Sequence, residues 1–94
     1  MDLAGPFPED DDGNRFLVIA VDPFSKWVEV QAIPSRHSWR VADFLYSQIV
    51  ARWGKPRYIR TDNGTEFAGS FARLCSSLKI VHSKITVGNS KANG

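Results

Sequence analysis

Two aspartates, Asp2 and Asp62, stand at the ends of strand-like stretches, where a sheet exposes side chains to a ligand. Carboxylates of this kind offer the oxygen donors that hard divalent cations require. Sixty residues separate them, so a fold has to bring them together before they act as a pair. Each is also explained as a turn former, and Asp62-Asn63-Gly64 makes a sound turn by itself. The surroundings of the second acid set it apart. In Ile59-Arg60-Thr61-Asp62-Asn63-Gly64-Thr65-Glu66-Phe67 the acid closes a strand and a glycine turn opens a helix, a favourable place for a metal-binding carboxylate. Other metal chemistry finds little support. Cys75 is alone, and His37 and His82 have no partner at zinc-ligand spacing, so both histidines are expected to be structural or surface residues.

The elements that must position these acids follow from periodicity. Phe16-Leu17-Val18-Ile19-Ala20-Val21 is continuously apolar and β-branched, which predicts a strand covered on both faces. Residues 27–33 alternate apolar and polar positions, as a half-exposed strand does. Asp22-Pro23-Phe24-Ser25-Lys26 joins the two as a hairpin, with Asp22 in a turn role. Before them the acidic run from Pro8 to Asn14 forms another turn. From Ser35 the period changes. Val41, Ala42, Phe44, Leu45, Ile49 and Trp53 share one helical stripe, predicting a helix over 36–53, capped by Ser35 or Ser38 and stopped by Gly54 and Pro56. A short strand at 57–61, a helix ending near Ser77 and a last strand at 80–82 complete the order β-β-β-α-β-α-β. That order implies a mixed sheet with helices packed on it. Residues 86–94 are small and polar and read as a flexible loop.

With 94 residues the chain is one domain at most, and 43% apolar residues describe a globular composition. A net charge of +2 decides nothing about partners. No apolar stretch approaches the length of a membrane span. The unpaired cysteine suits a reducing compartment, nuclear or cytoplasmic.

The ordered set Asp2-Leu3-x-Gly5-Pro6-Phe7, Val21-Asp22-x-Phe24-Ser25-Lys26-Trp27-Val28-Glu29, Arg52-Trp53-Gly54-x-Pro56, Thr61-Asp62-Asn63-Gly64-x-x-Phe67, Phe71-x-x-Leu74-Cys75 and Ala92-Asn93-Gly94 resembles the catalytic core of retroviral and retrotransposon integrases, particularly the gypsy-type elements. The resemblance covers nearly the whole chain. It implies the α/β ribonuclease H-like fold and an Asp, Asp, Glu triad holding Mg²⁺ or Mn²⁺ for DNA 3′-end processing and strand transfer. Asp2 and Asp62 match the first two acids as catalytic and metal-binding residues. The third lies on a helix that would begin shortly past Gly94, so the 94 residues are expected to be a partial core, without strand transfer of its own. No small-molecule cofactor and no membrane partner are implied. DNA is the implied partner, a homodimer a further one, and Asn63, Thr65, Glu66, Lys84, Lys91 and Asn93 are the candidate nucleic-acid contacts. Two rival readings stand beside this one: a noncatalytic nucleic-acid-binding or dimerising remnant of a retroelement, and a ribonuclease H-type nuclease. Trp27, Trp39 and Trp53 are expected in the core or a dimer interface. Lys79 stands where the family often has glycine, at a cost on the order of 1 kcal/mol if the site needs positive φ.

Overall fold

The computed structural model describes residues 1–85; the expected loop 86–94, with Lys91 and Asn93, lies outside them. The chain folds in the expected order. Strands β1 (Asp2–Ala4), β2 (Phe16–Asp22) and β3 (Trp27–Ile33) form an antiparallel sheet in the order β1-β2-β3. Helical turns follow from α1 (Ser38–Phe44) through a π-helical stretch (Leu45–Val50) to α2 (Ala51–Trp53). Strand β4 (Tyr58–Asp62), a 3-10 turn (Thr65–Phe67), α3 (Gly69–Ser77) and β5 (Val81–Ile85) complete the chain, with β4 and β5 paired in parallel. The Met1 amino group donates to the Arg60 carbonyl at 2.5 Å, which seats the start of β1 beside β4.

The helices cover one face of this arrangement. Val18, Ala20 and Ile33 of the antiparallel sheet, Val41, Phe44 and Leu45 of the first helix, Ile59 of β4 and Phe67, Phe71 and Cys75 make one buried cluster. Phe44, Phe67 and Phe71 are fully buried, each contributing roughly 1.5–3 kcal/mol of apolar burial. Phe67 and Phe71 meet edge to face at 5.3 Å. Ser38 does not cap its own helix, which starts after His37 without a side-chain cap. Its Oγ instead accepts the Phe71 N–H at 2.9 Å and donates to the Ala68 carbonyl at 2.5 Å. The orphan donor of one helix start is therefore satisfied from another.

Three expectations change. The apolar run of β2 is covered on one face alone: Val18 and Ala20 are buried, whereas Val21 is exposed. Antiparallel register sets Val21 opposite Val28 and Ile19 opposite Val30, so the apolar side of β3 also turns outward. Its polar positions Glu29 and Gln31 are the half-buried ones. Second, the expected helix is not α-helical throughout. The wider π turns shift the residues beyond Val50 out of the stripe, so Trp53 lies exposed and meets Trp27 edge to face at 5.0 Å. Third, Trp39 is exposed under the Arg40 guanidinium, 4.3 Å from the ring centre, so of the two places expected for it, core or dimer interface, it does not take the core. Asp22 takes its turn role: its carboxylate accepts the Phe24 N–H and the Ser25 hydroxyl.

Helix α3 ends in a Schellman motif. The Ile80 N–H reaches the Cys75 carbonyl at 2.8 Å and the Lys79 N–H the Ser76 carbonyl at 3.1 Å. That geometry puts Lys79 at φ 59°, the left-handed region where glycine is normally used.

Candidate metal and nucleic-acid site

The seating of β1 beside β4 governs the site. Asp2 opens β1 and Asp62 closes β4. Asp2 is exposed and Asp62 half-buried. Both carboxylates act on the Met1 ammonium, raising its affinity for a proton, although burial wins and leaves its pKa below the ordinary value. Two acids sixty residues apart thus share one electrostatic neighbourhood at the junction of the two ladders.

The loop after Asp62 is built around its carboxylate. Oδ1 accepts the Gly64 N–H at 2.8 Å, the short-range bond that an Asx turn makes. A Cβ at Gly64 would lie within 2.7 Å of the three carboxyl atoms of Glu66, so a side chain there would push that carboxylate aside. Glu66 folds back over that glycine and is 4% exposed. Its Oε1 accepts a hydrogen bond from Arg36 Nη2 at 2.8 Å. Glu66 is thus no surface contact for DNA as its sequence position suggested. A buried carboxylate needs a cation or hydrogen bonds, and Arg36 supplies both. The guanidinium is held charged above its ordinary pKa by the Glu66 hydrogen bond and charge, with a further contribution from Asp62.

Behind Asp62 lies a second polar contact. Thr61 is buried, and its Oγ1 donates to the Asp62 carbonyl at 2.8 Å and lies 2.7 Å from His82 Nε2. His82 also stands edge-on to Phe71 at 5.1 Å, in the structural role expected of it. Burial, then Lys84, then the chain's amino group lower its pKa.

Of the remaining candidates, Asn63 and Thr65 are exposed in the loop that leaves Asp62. Lys84 is exposed on β5, opposite Thr61 and one register step before the Asp62–Ile85 pair. These three surround the same end of the parallel pair as Asp62. Among the described residues no group of three His, Cys, Asp or Glu side chains gathers as a metal cage. No helix there is long and apolar enough to cross a membrane. Arg36 and Ser38 could not be found from the sequence, since each acts on a residue some thirty positions away.

Comparison with known proteins identifies the family and the fold. The integrase core domain family matches residues 1–90. This chain belongs to that family. It is 28% identical over 81 residues to the retrovirus-related Pol polyprotein from transposon 412 of Drosophila melanogaster, a match covering 85% of this chain and 6% of the polyprotein. The Gag-Pol polyprotein of avian reticuloendotheliosis virus is 35% identical over 69 residues, covering 72% of this chain and 6% of that one. Among solved structures, a chain of the simian T-cell lymphotropic virus intasome superposes with a TM-score of 0.77 at 26% identity, covering 97% of this chain and 33% of that one. The catalytic core domain of BIV integrase superposes with a TM-score of 0.68 at 28% identity, covering 84% and 51%. The fold is that of integrase catalytic cores, the ribonuclease H-like class that the resemblance implied. The chain spans a small part of the polyproteins it matches and from a third to a half of the matched structural chains.

Proposed function

We propose that this chain supplies the metal- and DNA-binding portion of an integrase core, with Asp2 and Asp62 as two of the oxygen ligands for Mg²⁺ or Mn²⁺. The observation that carries the reading is the Met1–Arg60 hydrogen bond, which sets the residue before Asp2 against β4 two residues from Asp62. The donor set fits a hard cation: carboxylate oxygens, one of them half-buried in a loop whose backbone already orients it. A bound ion would polarise a phosphodiester oxygen and lower the pKa of a water or a DNA 3′-hydroxyl, the chemistry of DNA end processing and strand transfer.

The residues of this chain have distinct parts in that scheme. The Gly64 N–H holds Asp62 Oδ1. The Arg36–Glu66 pair holds the loop that carries Gly64. Asn63, Thr65 and Lys84 line the approach, where a hydroxyl, an amide and an ammonium suit phosphate oxygens. Glu66 is committed to Arg36 and does not serve as a third ligand. With two carboxylates the 94 residues bind the ion weakly and do not join strands by themselves. Cutting and joining, with DNA and a second copy as partners in the nucleus or cytoplasm, belong in this reading to a whole catalytic core of the family.

Titration of Mn²⁺ into the chain by calorimetry tests the site. Saturable heat is expected for the native sequence and its loss in Asp2→Asn and Asp62→Asn. Absence of heat in the native chain, or an Asp62→Asn variant that binds as before, ends the metal reading.

A further inference from the structure

The end of the β4–β5 pair opposite Asp62 carries a concentration of positive charge. Lys55, Arg57 and Lys79 line one shallow cleft of about 310 Å³ together with Pro56, Tyr58 and Val81, and no carboxylate stands in its wall. The chain as a whole is only +2, so three cations without an acid are a local excess. Among the described residues the two ion pairs are Arg36–Glu66 and Arg52–Glu29, and neither uses these cations.

Three features indicate a binding surface rather than scattered solvated lysines. Tyr58 is 69% exposed and faces Val81 in the parallel register, leaving an aromatic ring on a wall where burial is available and unused. Lys55 Nζ donates to the Leu78 carbonyl at 2.6 Å, tying the loop before β4 to the end of α3 and so fixing the two sides of the cleft. Lys79 occupies a left-handed site at φ 59° that glycine would fill at lower cost. The Schellman end of α3 imposes that conformation and fixes where the Lys79 side chain leaves the backbone. Here the strained residue contributes a cation to the cleft wall.

We propose that this cleft is a second nucleic-acid contact, in which Arg57 and Lys79 take a phosphodiester backbone and Tyr58 stacks an unpaired base. Its position follows from the strand: Tyr58 and Asp62 are the two ends of β4, about 13 Å apart at the usual strand rise. The choice of DNA over another polyanion rests on the integrase reading above, whereas the charge and the exposed ring do not.

Fluorescence anisotropy of a labelled oligothymidine, measured over a salt series in the presence of EDTA, tests the cleft without any contribution from a metal. The native chain is expected to bind. Replacing Arg57 and Lys79 together by Gln should weaken binding and flatten the slope of log K against log salt by about 1.4, since each phosphate contact to a single strand contributes about 0.7. Arg57→Lys with Lys79→Arg should restore the slope, which loss of folding could not do. Tyr58→Leu should weaken binding about tenfold and leave the slope unchanged. Arg73→Gln, an exposed cation on α3, should change neither. Asp62→Asn should keep this binding while losing the Mn²⁺ heat, so failure of the metal site and failure of the cleft are read separately. No binding by the native chain, an unchanged slope in the double Gln variant, or competition by polyglutamate at equal potency with Tyr58→Leu indistinguishable from native would overturn the proposal.

Discussion

Removing the Arg36 guanidinium isolates the interaction that holds the loop after Asp62. The Glu66 side chain is 5% exposed and that of Arg36 is 56% exposed, so Arg36→Ala leaves a desolvated carboxylate facing a site that water only partly reaches. Charge-assisted hydrogen bonds contribute about 1.5–3 kcal/mol. Exposure of the arginine places this one toward the lower part of that range, at about 2 kcal/mol. A domain of this size is stable by roughly 5–15 kcal/mol, so the loss is a large fraction of the total. With m near 2 kcal/mol/M, the urea midpoint should fall by about 1 M. Because the cost comes from the buried charge, Glu66→Gln should relieve most of it. In that background Arg36→Ala should cost less than about 1 kcal/mol, giving a coupling of about 1 kcal/mol in the double-mutant cycle. Equilibrium urea unfolding of the four proteins, followed by circular dichroism, supplies the numbers. An Arg36→Ala loss under about 0.5 kcal/mol, or an equal loss with and without the Glu66 charge, refutes the assignment of Glu66 as an anchored structural carboxylate.

Two further outcomes are expected. Lys79→Gly relieves the left-handed backbone at the end of α3, offset in part by the greater freedom of glycine in the unfolded chain. A net gain of about 0.5–1 kcal/mol and a rise in Tm of about 2–8 °C are expected by thermal unfolding, and destabilisation would contradict the Schellman assignment. For His82 the folded pKa lies below the unfolded one, so the fold favours the neutral ring. Its contribution is complete above the unfolded pKa of about 6.5 and is lost as pH falls from there toward the folded value. Urea midpoints measured between pH 5 and 7.5 should decline on acidification and flatten in His82→Gln; an equal decline in the variant would assign it to other groups.

Local pattern was enough for the order of elements. The β-branched run of β2, the 3.6-residue period after Ser35, the Gly54 stop and the Asp62-Asn63-Gly64 turn each encode their conformation within a few residues. The spaced motif residues also carried the family, because six separated blocks in one order constrain a chain more than any one of them. The direction in which β3 turns was not legible. Val28 and Val30 look like core positions, yet the register with β2 sends them outward and brings Glu29 and Gln31 inward. Alternation defines two faces, and long-range packing chooses between them.

The same division applies to the site. Sequence alone named Asp2 and Asp62 and placed each at a strand end, and the resemblance marked Lys79 as standing where the family often has glycine. Tertiary structure decided that the two acids share the β1–β4 junction, that Glu66 is spent on Arg36, and that Lys55, Arg57 and Lys79 meet in one cleft. Backbone conformation is governed by steric and hydrogen-bonding choices among near neighbours, so it is written locally. The partner of a buried charge is whatever side chain the fold delivers to it, and that depends on contacts across the whole chain.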